Sequence, residues 1–239
     1  MSESRTPVTA HPAATVVLLR EGDEGCEVLL VRRNSKLAFH GGAWVFPGGR
    51  IDAEDFTHAE DADVAEAARR AAVREAEEEA GVLIDPGELI LFSRWVTPEG
   101  LPKRFDAWFF AARAPMGEVQ VDGGEIEEHR WFRPDDALAA KRAGAIDLPP
   151  PTFVTLTQFC GVGGVDDLLE SLRCCALRSY VPRLHMLREG IACSLYEGDA
   201  GYESGDPTCE GPRHRLWMNH DGSWSYECTC DGVLLNINR

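Results

Sequence analysis

Basic residues are scarce in this chain: 24 Lys and Arg stand against 40 Asp and Glu, giving a formal net charge of −16. Surfaces for nucleic acid or anionic membrane are built by clustering Lys and Arg, so the deficit argues against both kinds of partner. Long apolar runs are missing too. No stretch approaches the roughly 18 residues of a membrane span, and residues 1–13 lack the apolar centre of a signal peptide, so the expectation is a cytoplasmic protein. Internal repeats and low-complexity tracts are absent. Although the chain has 8 cysteines, it lacks the paired CxxC spacing of a strong zinc signature. Cys209, Cys228, Cys230, His214 and His220 crowd the C-terminal segment, but their spacing suits reduced structural thiols better than a chelate. At 239 residues and 44% hydrophobic content, there is material for one substantial core and a small second one.

What is present is acid on one side of a helix. In Arg74-Glu75-Ala76-Glu77-Glu78-Glu79-Ala80-Gly81, a rotation of about 100° per residue puts Glu75, Glu78 and Glu79 within roughly a third of a turn. Like charges at these spacings disfavour an exposed helix by a few tenths of a kcal/mol per pair, so the arc suits a hard divalent cation, magnesium or manganese. Asp63 and Glu66 have capping-box spacing and Gly81 suits the left-handed position past the helix end. Ala65, Ala68, Ala72, Ala76 and Ala80 form a small-residue stripe that lets the helix lie close to a sheet. Arg74 precedes Glu78 by four residues and is placed to orient it. Glu66, on the far side by angle, reads as a capping and packing residue. Upstream, Trp44-Val45-Phe46-Pro47-Gly48-Gly49-Arg50 reads as a short strand breaking into a glycine turn, where bare backbone can approach a metal or a phosphate.

These residues resemble the Nudix hydrolase signature: a glycine, then a glutamate, then Arg-Glu-apolar-x-Glu-Glu-x-Gly-apolar. Gly49, Glu66, Arg74, Glu75, Ala76, Glu78, Glu79, Gly81 and Val82 supply every element. Sixteen residues separate Gly49 from Glu66, where the signature has five, and the extra length falls in a loop, where it costs little entropy. The resemblance implies an α/β fold, the Nudix α/β/α sandwich with a mixed β-sheet. It also implies a diphosphatase that holds Mg²⁺ or Mn²⁺ through Glu75, Glu78 and Glu79, with a backbone carbonyl at Gly48 or Gly49 joining them. The base that takes the proton of the attacking water is left open between Glu78 and a later loop, 122–128, where Glu125 and Glu128 are the candidates.

Along the chain, 14–20 and 27–33 read as a hairpin, 89–96 and 105–112 as two further strands, 127–132 as another, and 135–141 as a helix. A flexible tail over 1–11, a Nudix domain over 12–147 and a C-terminal helical and β-hairpin extension over 148–239 follow. Leu148-Pro149-Pro150-Pro151 is a stiff connector. In the extension, 152–159 and 165–177 read as helices, the second with Leu168, Leu169, Leu172 and Cys175 on one face. Short strands then turn at Glu197-Gly198-Asp199, Asp221-Gly222-Ser223 and Asp231-Gly232. Such an extension suits shaping a pocket or a homodimer interface.

The expected partner is a small-molecule diphosphate. Leu29-Leu30-Val31-Arg32-Arg33-Asn34 ahead of the glycine turn is similar to the coenzyme A diphosphatase pattern, as is the insertion within the box, while Ala38, Val31 and Asn34 replace its arginine, threonine and serine. Arg32, Arg33, Arg50, Lys103 and Arg104 are the candidates for holding substrate phosphates, which leaves ADP-ribose, NADH, sugar nucleotides and nucleoside triphosphates open. A Nudix-fold sensor that binds such a ligand without cleaving it is the other reading, and the intact glutamates weigh against it.

Overall fold

The computed structural model describes residues 8–37, 40–56, 63–187 and 190–229. Ala38, Cys230, the Asp231-Gly232 turn, the tail up to residue 7 and the insertion residues 57–62 lie outside them. Strand β1 (His11–Gly22) and strand β2 (Gly25–Arg33) form the expected hairpin, paired antiparallel from Leu19 opposite Val28 to Gly22 opposite Gly25. Their apolar runs are nearly unbroken because both faces are covered, not one. Val17, Leu19, Val28 and Leu30 belong to one buried cluster, and Val16, Leu18, Leu29 and Val31 to the other.

Strands β3 (Trp44–Val45) and β4 (Gly48–Arg50) are the two ends of the glycine turn. The first pairs with β2, and the second with the start of β1. After helix α1 (Val64–Ala80) come strands β5 (Ile90–Val96), β6 (Phe105–Arg113) and β7 (Ile126–Phe132), then helix α2 (Pro134–Arg142). The sheet is mixed: β6 runs parallel to β1 and antiparallel to β5, and β7 is antiparallel to β2.

The first face of the sheet carries α1. Asp63 caps it by accepting the Ala65 N–H at 2.9 Å, and Gly81 ends it at φ 66°, where a Cβ would be strained. Ala67, Ala68, Ala71, Ala72, Ala76 and Ala80 are buried against Ala14, Val16, Leu18 and Phe110. Methyl-sized side chains bring the helix backbone down onto β1 and β4, which is what carries its glutamates to the glycine turn.

The second face is built by residues the sequence reading placed beyond the catalytic unit. Helices α3 (Pro150–Phe159) and α4 (Val165–Cys174) join α2 there, and Phe153, Phe159, Leu168 and Leu172 share one buried cluster with Val17, Phe92, Trp95 and Phe109. The expected helix over 165–177 is a correction. It stops at Cys174, Cys175 caps it instead of lying on its apolar face, and the chain turns into strand β8 (Arg178–Tyr180), which adds parallel to β5. Stacking causes this: the Tyr180 ring lies 3.8 Å from that of Trp95 with a 2° interplanar angle, a contact beyond any local pattern. The main sheet thereby has eight strands. Strands β9 (Arg183–Met186), β10 (Ala192–Leu195), β11 (His214–Met218) and β12 (Trp224–Cys228) form a separate antiparallel sheet. Its loop between β10 and β11 is pinned by a buried pair. Asp199, expected as a turn residue, accepts from Arg215 Nε at 2.7 Å and Nη2 at 2.6 Å and from the His214 N–H at 2.8 Å. Among the described residues, no helix is long and apolar enough to cross a membrane.

Candidate active site

Helix α1 and the glycine turn meet as their spacing leads one to expect. The Gly48 N–H donates to Glu79 Oε2 at 2.9 Å, and a Cβ on Gly49 would overlap the Glu75 carboxylate. A side chain at 49 would push the Glu75 carboxylate out of its place against the turn. Arg74 ties the two elements together: Nη1 donates to Glu75 Oε1 at 2.9 Å and Glu78 Oε2 at 3.1 Å, and Nη2 to the Arg50 carbonyl at 2.9 Å. Burial opposes its charge, but hydrogen bonds to Asp55 and Glu75 outweigh this and raise its pKa.

Asp55 is a site residue that sequence reading missed. Its Oδ2 accepts from Arg74 Nη2 at 3.1 Å and from the Asp52 N–H at 2.8 Å, so the start of the box insertion folds back to hold the arginine. The signal available was weak: an acid inside a loop that the signature does not contain. Glu66 pairs with Arg69 and Arg70, away from the cluster, as its angle implied.

The carboxylates differ in environment. Glu79 is nearly enclosed and Glu78 mostly exposed, at 7% and 58% side-chain accessibility. Burial pushes the Glu79 carboxyl up to about 8, against the pull of the Gly48 N–H and with the Glu75 charge adding to it. Glu75 is raised as well, by burial first, with Arg74 lowering it and Glu78 and Glu125 raising it. Two half-desolvated carboxyls beside bare glycine backbone are uncomfortable as anions until a cation joins them, and hard oxygen donors fit Mg²⁺ or Mn²⁺. Among the described residues no three Asp, Glu, His or Cys side chains already converge on a single point. The residues that would hold the ion are Glu75, Glu78 and Glu79, with the backbone of Gly48 and Gly49.

The alternation of β2 sorts the remaining candidates. Arg33 faces α1, with Nη1 3.9 Å from Glu79 and Nη2 3.6 Å from Glu125. The loop holding Glu125 is fixed by Asp122, which accepts the Glu125 and Ile126 N–H groups at 2.9 Å each. Glu125 is thus brought to the cluster. Glu128 is not: the pairing of β7 with β2 slips between Arg32 and Arg33, and Glu128 lies opposite Arg32, 3.3 Å from its guanidinium. Arg50 contributes its carbonyl to the site, while its side chain reaches His11 Nδ1 at 3.4 Å. Arg104 binds the Thr97 and Val8 carbonyls, and Lys103 sits over the Phe105 ring, so neither is brought to the glutamates.

In the C-terminal segment, His214 Nδ1 lies 2.6 Å from the Glu197 carbonyl oxygen and Cys209 Sγ 3.5 Å from Ser204 Oγ. Cys228 Sγ accepts from Arg178 Nη1 at 3.9 Å.

A mixed sheet with a carboxylate-bearing helix on a glycine turn defines a class, and comparison with known proteins agrees. The NUDIX domain matches residues 9–150, and the chain belongs to that family. It is 27% identical over 140 residues to an acyl-coenzyme A diphosphatase of Xenopus laevis, covering 54% of this chain and 36% of that protein. It is likewise 27% identical over 172 residues to a nudix hydrolase of Caenorhabditis elegans, covering 56% of each. The chain thus spans about a third to a half of the curated relatives it matches. Among solved structures, a NUDIX hydrolase from Alicyclobacillus acidocaldarius superposes with a TM-score of 0.62 at 26% identity, over 69% of this chain and 97% of that one.

Proposed function

We propose that this chain is a metal-dependent diphosphatase, hydrolysing the phosphoanhydride of a nucleoside diphosphate derivative. The observation that carries the reading is the contact of Glu75 and Glu79 with the Gly48-Gly49 backbone, with Glu78 held beside them by Arg74. A divalent cation there supplies Lewis acidity to the diphosphate oxygens and to the attacking water. The chain's own residues do the rest. Arg74 fixes the directions of two carboxylates and links them to the glycine turn. Arg33 offers a guanidinium beside Glu79 for a phosphate oxygen. Water adds to phosphorus, the bridging P–O bond breaks, and the water's proton goes to a carboxylate. Glu125 is the loop group within reach of Arg33 and hence of the cluster, and Glu78 is the helix alternative.

The substrate class we favour is coenzyme A or an acyl-coenzyme A, supported by the box insertion, by the Leu29–Asn34 segment and by the acyl-coenzyme A diphosphatase among the relatives. ADP-ribose, NADH, sugar nucleotides and nucleoside triphosphates are the competitors. Incubating the purified chain with Mg²⁺ and each of these compounds, and weighing the products, tests the reading. A pair of phosphate-bearing fragments from one compound supports it. Tight binding without any product would favour the sensor instead.

A further inference from the structure

A cavity of about 340 Å³ lies on the face of the sheet opposite α1, where Arg32 and Trp44 meet the end of α2 and the turn between β11 and β12. Its walls therefore come from both the family-matched region and the segment beyond it. Arg32, Lys141 and Arg142 line it together with Asp147 and Asp221. In a chain of net charge −16, three cations gather here, with Asp147 and Asp221 in the wall and Glu127 and Glu128 against Arg32.

Those cations are held but incompletely satisfied. Lys141 is only 11% accessible, with Nζ 2.6 Å from Asp147 and 4.3 Å from the centre of the Trp224 ring. An ammonium has three N–H donors, and a carboxylate with a ring face leaves capacity for another anion. Arg32 Nε is buried with no hydrogen-bond partner in the structure. Its Nη2 stands 3.3 Å from Glu128 and 3.5 Å from Glu127, beyond the roughly 2.7–2.9 Å of a well-made charged hydrogen bond. A ligand in the cavity reaches the outer nitrogens of this guanidinium, whose side chain is 39% accessible, and not the enclosed Nε. The volume is in the range of small-molecule sites. The neighbouring residue, Arg33, faces Glu79, so the cavity and the glutamate cluster lie back to back across β2.

We propose that this cavity binds a phosphate-bearing nucleotide group through Arg32 and Lys141, with the β11–β12 turn as one wall. Taking nucleotides as the ligand class rests on the diphosphatase reading. The group belongs either to the half of the substrate that is not attacked or to a separate nucleotide effector, and the chemistry of recognition is the same.

The test is equilibrium dialysis of ADP against the full chain in EDTA, where the metal-free glutamates repel the ligand and binding reports the cavity. Wild type should bind ADP saturably, Lys141→Met should bind at least tenfold more weakly, and Asp221→Asn, which removes a rim charge, should bind two- to fivefold more tightly. Arg173→Ala, on the exposed side of α4, should bind as wild type. If Lys141→Met does not fold by its thermal melt, Arg142→Met replaces it and should also weaken binding. Absence of saturable binding, or cavity variants equal to wild type, overturns the proposal. Steady-state kinetics then identify the source: a raised KM with kcat kept points to the substrate's own group, and an unchanged KM with lost sensitivity to added ADP points to an effector. A wild-type chain without turnover would overturn the diphosphatase reading and leave the dialysis to decide the cavity.

Discussion

The two faces of the central sheet are built on different principles. Against the α1 face lie six buried alanines, and the helix comes so close that its glutamates touch glycine backbone. Against the other lie Phe153 and Phe159 of α3, the leucines of α4, Leu138 of α2 and Tyr180 stacked on Trp95, filling a thicker layer. Small side chains trade hydrophobic area for proximity, at about 25 cal/mol per Å² buried, so the α1 face is the poorer source of stability. The aromatic face, much of it from residues after 147, offsets this. Substitutions should accordingly separate: on the α1 side they remove activity and spare the fold, and on the far side they do the reverse.

The largest effect is expected at the glutamates. Glu78→Gln keeps shape and loses the charge that a divalent ion needs, so turnover should fall by roughly 10³ or more, a barrier increase of about 4 kcal/mol, with the thermal melt unchanged. Steady-state kinetics beside calorimetry checks both halves. Activity within about threefold of wild type would remove Glu78 from the site.

Next is the far side's buried ion pair. Asp199→Ala leaves the Arg215 guanidinium enclosed without its carboxylate and takes an acceptor from the His214 and Gly201 N–H groups. Breaking one partner of such a pair costs about 3–5 kcal/mol. Denaturant melts should register that loss in a single transition shared with the main sheet, because the two sheets have one aromatic cluster between them. A separate early transition of the C-terminal sheet alone would show that the two regions are energetically independent.

Much of the α1 face was legible because its determinants are local. Asp63, Gly81 and the alanine stripe specify a helix from within one window, and Arg74, Glu75, Glu78 and Glu79 lie along contiguous chain, with Gly49 joined to them across the insertion. The far face was not, since its determinants are partners distant in sequence. Tyr180 becomes a strand residue by stacking on Trp95. Asp199 follows a glycine and resembles any turn acid, and only the fold puts Arg215 beside it. Glu125 and Glu128 looked equivalent for a similar reason: the slip in pairing between Arg32 and Arg33 sends one toward Glu79 and the other away, and nothing local announces it.

A pH titration of stability probes the far side more gently. His214 is 2% accessible, and burial lowers its pKa to about 4, with the Glu197 carbonyl acting against the shift and Arg178 adding to it. The unfolded ring titrates near 6.5. Between these values the unfolded chain takes up a proton that the folded chain refuses. His214 by itself should therefore lower stability by roughly 3 kcal/mol as pH drops from about 6.5 to 4, a slope opposed by the Glu79 carboxyl, whose pKa of about 8 favours the folded chain as pH falls. His214→Phe should flatten that slope in denaturant melts at several pH values, and a slope equal to wild type would assign it to other groups.

The smallest effect, and the sharpest comparison, sets Glu125 against Glu128. Both are exposed acids of one segment, so a surface-charge account expects equal and minor losses from either glutamine variant. The geometry separates them: Glu125 meets Arg33 beside Glu79, whereas Glu128 meets Arg32 at the cavity on the opposite face. If Glu125 takes the water's proton, Glu125→Gln should lower kcat by about 10²-fold with KM little changed, as for a group acting in the transition state. Glu128→Gln should leave kcat within a few-fold, and it should lower KM only where the group that meets the freed Arg32 is the substrate's own. Equal kcat values for the two variants across the pH profile would pass the proton to Glu78 or to solvent, and the slipped pairing of β7 would then have no catalytic consequence.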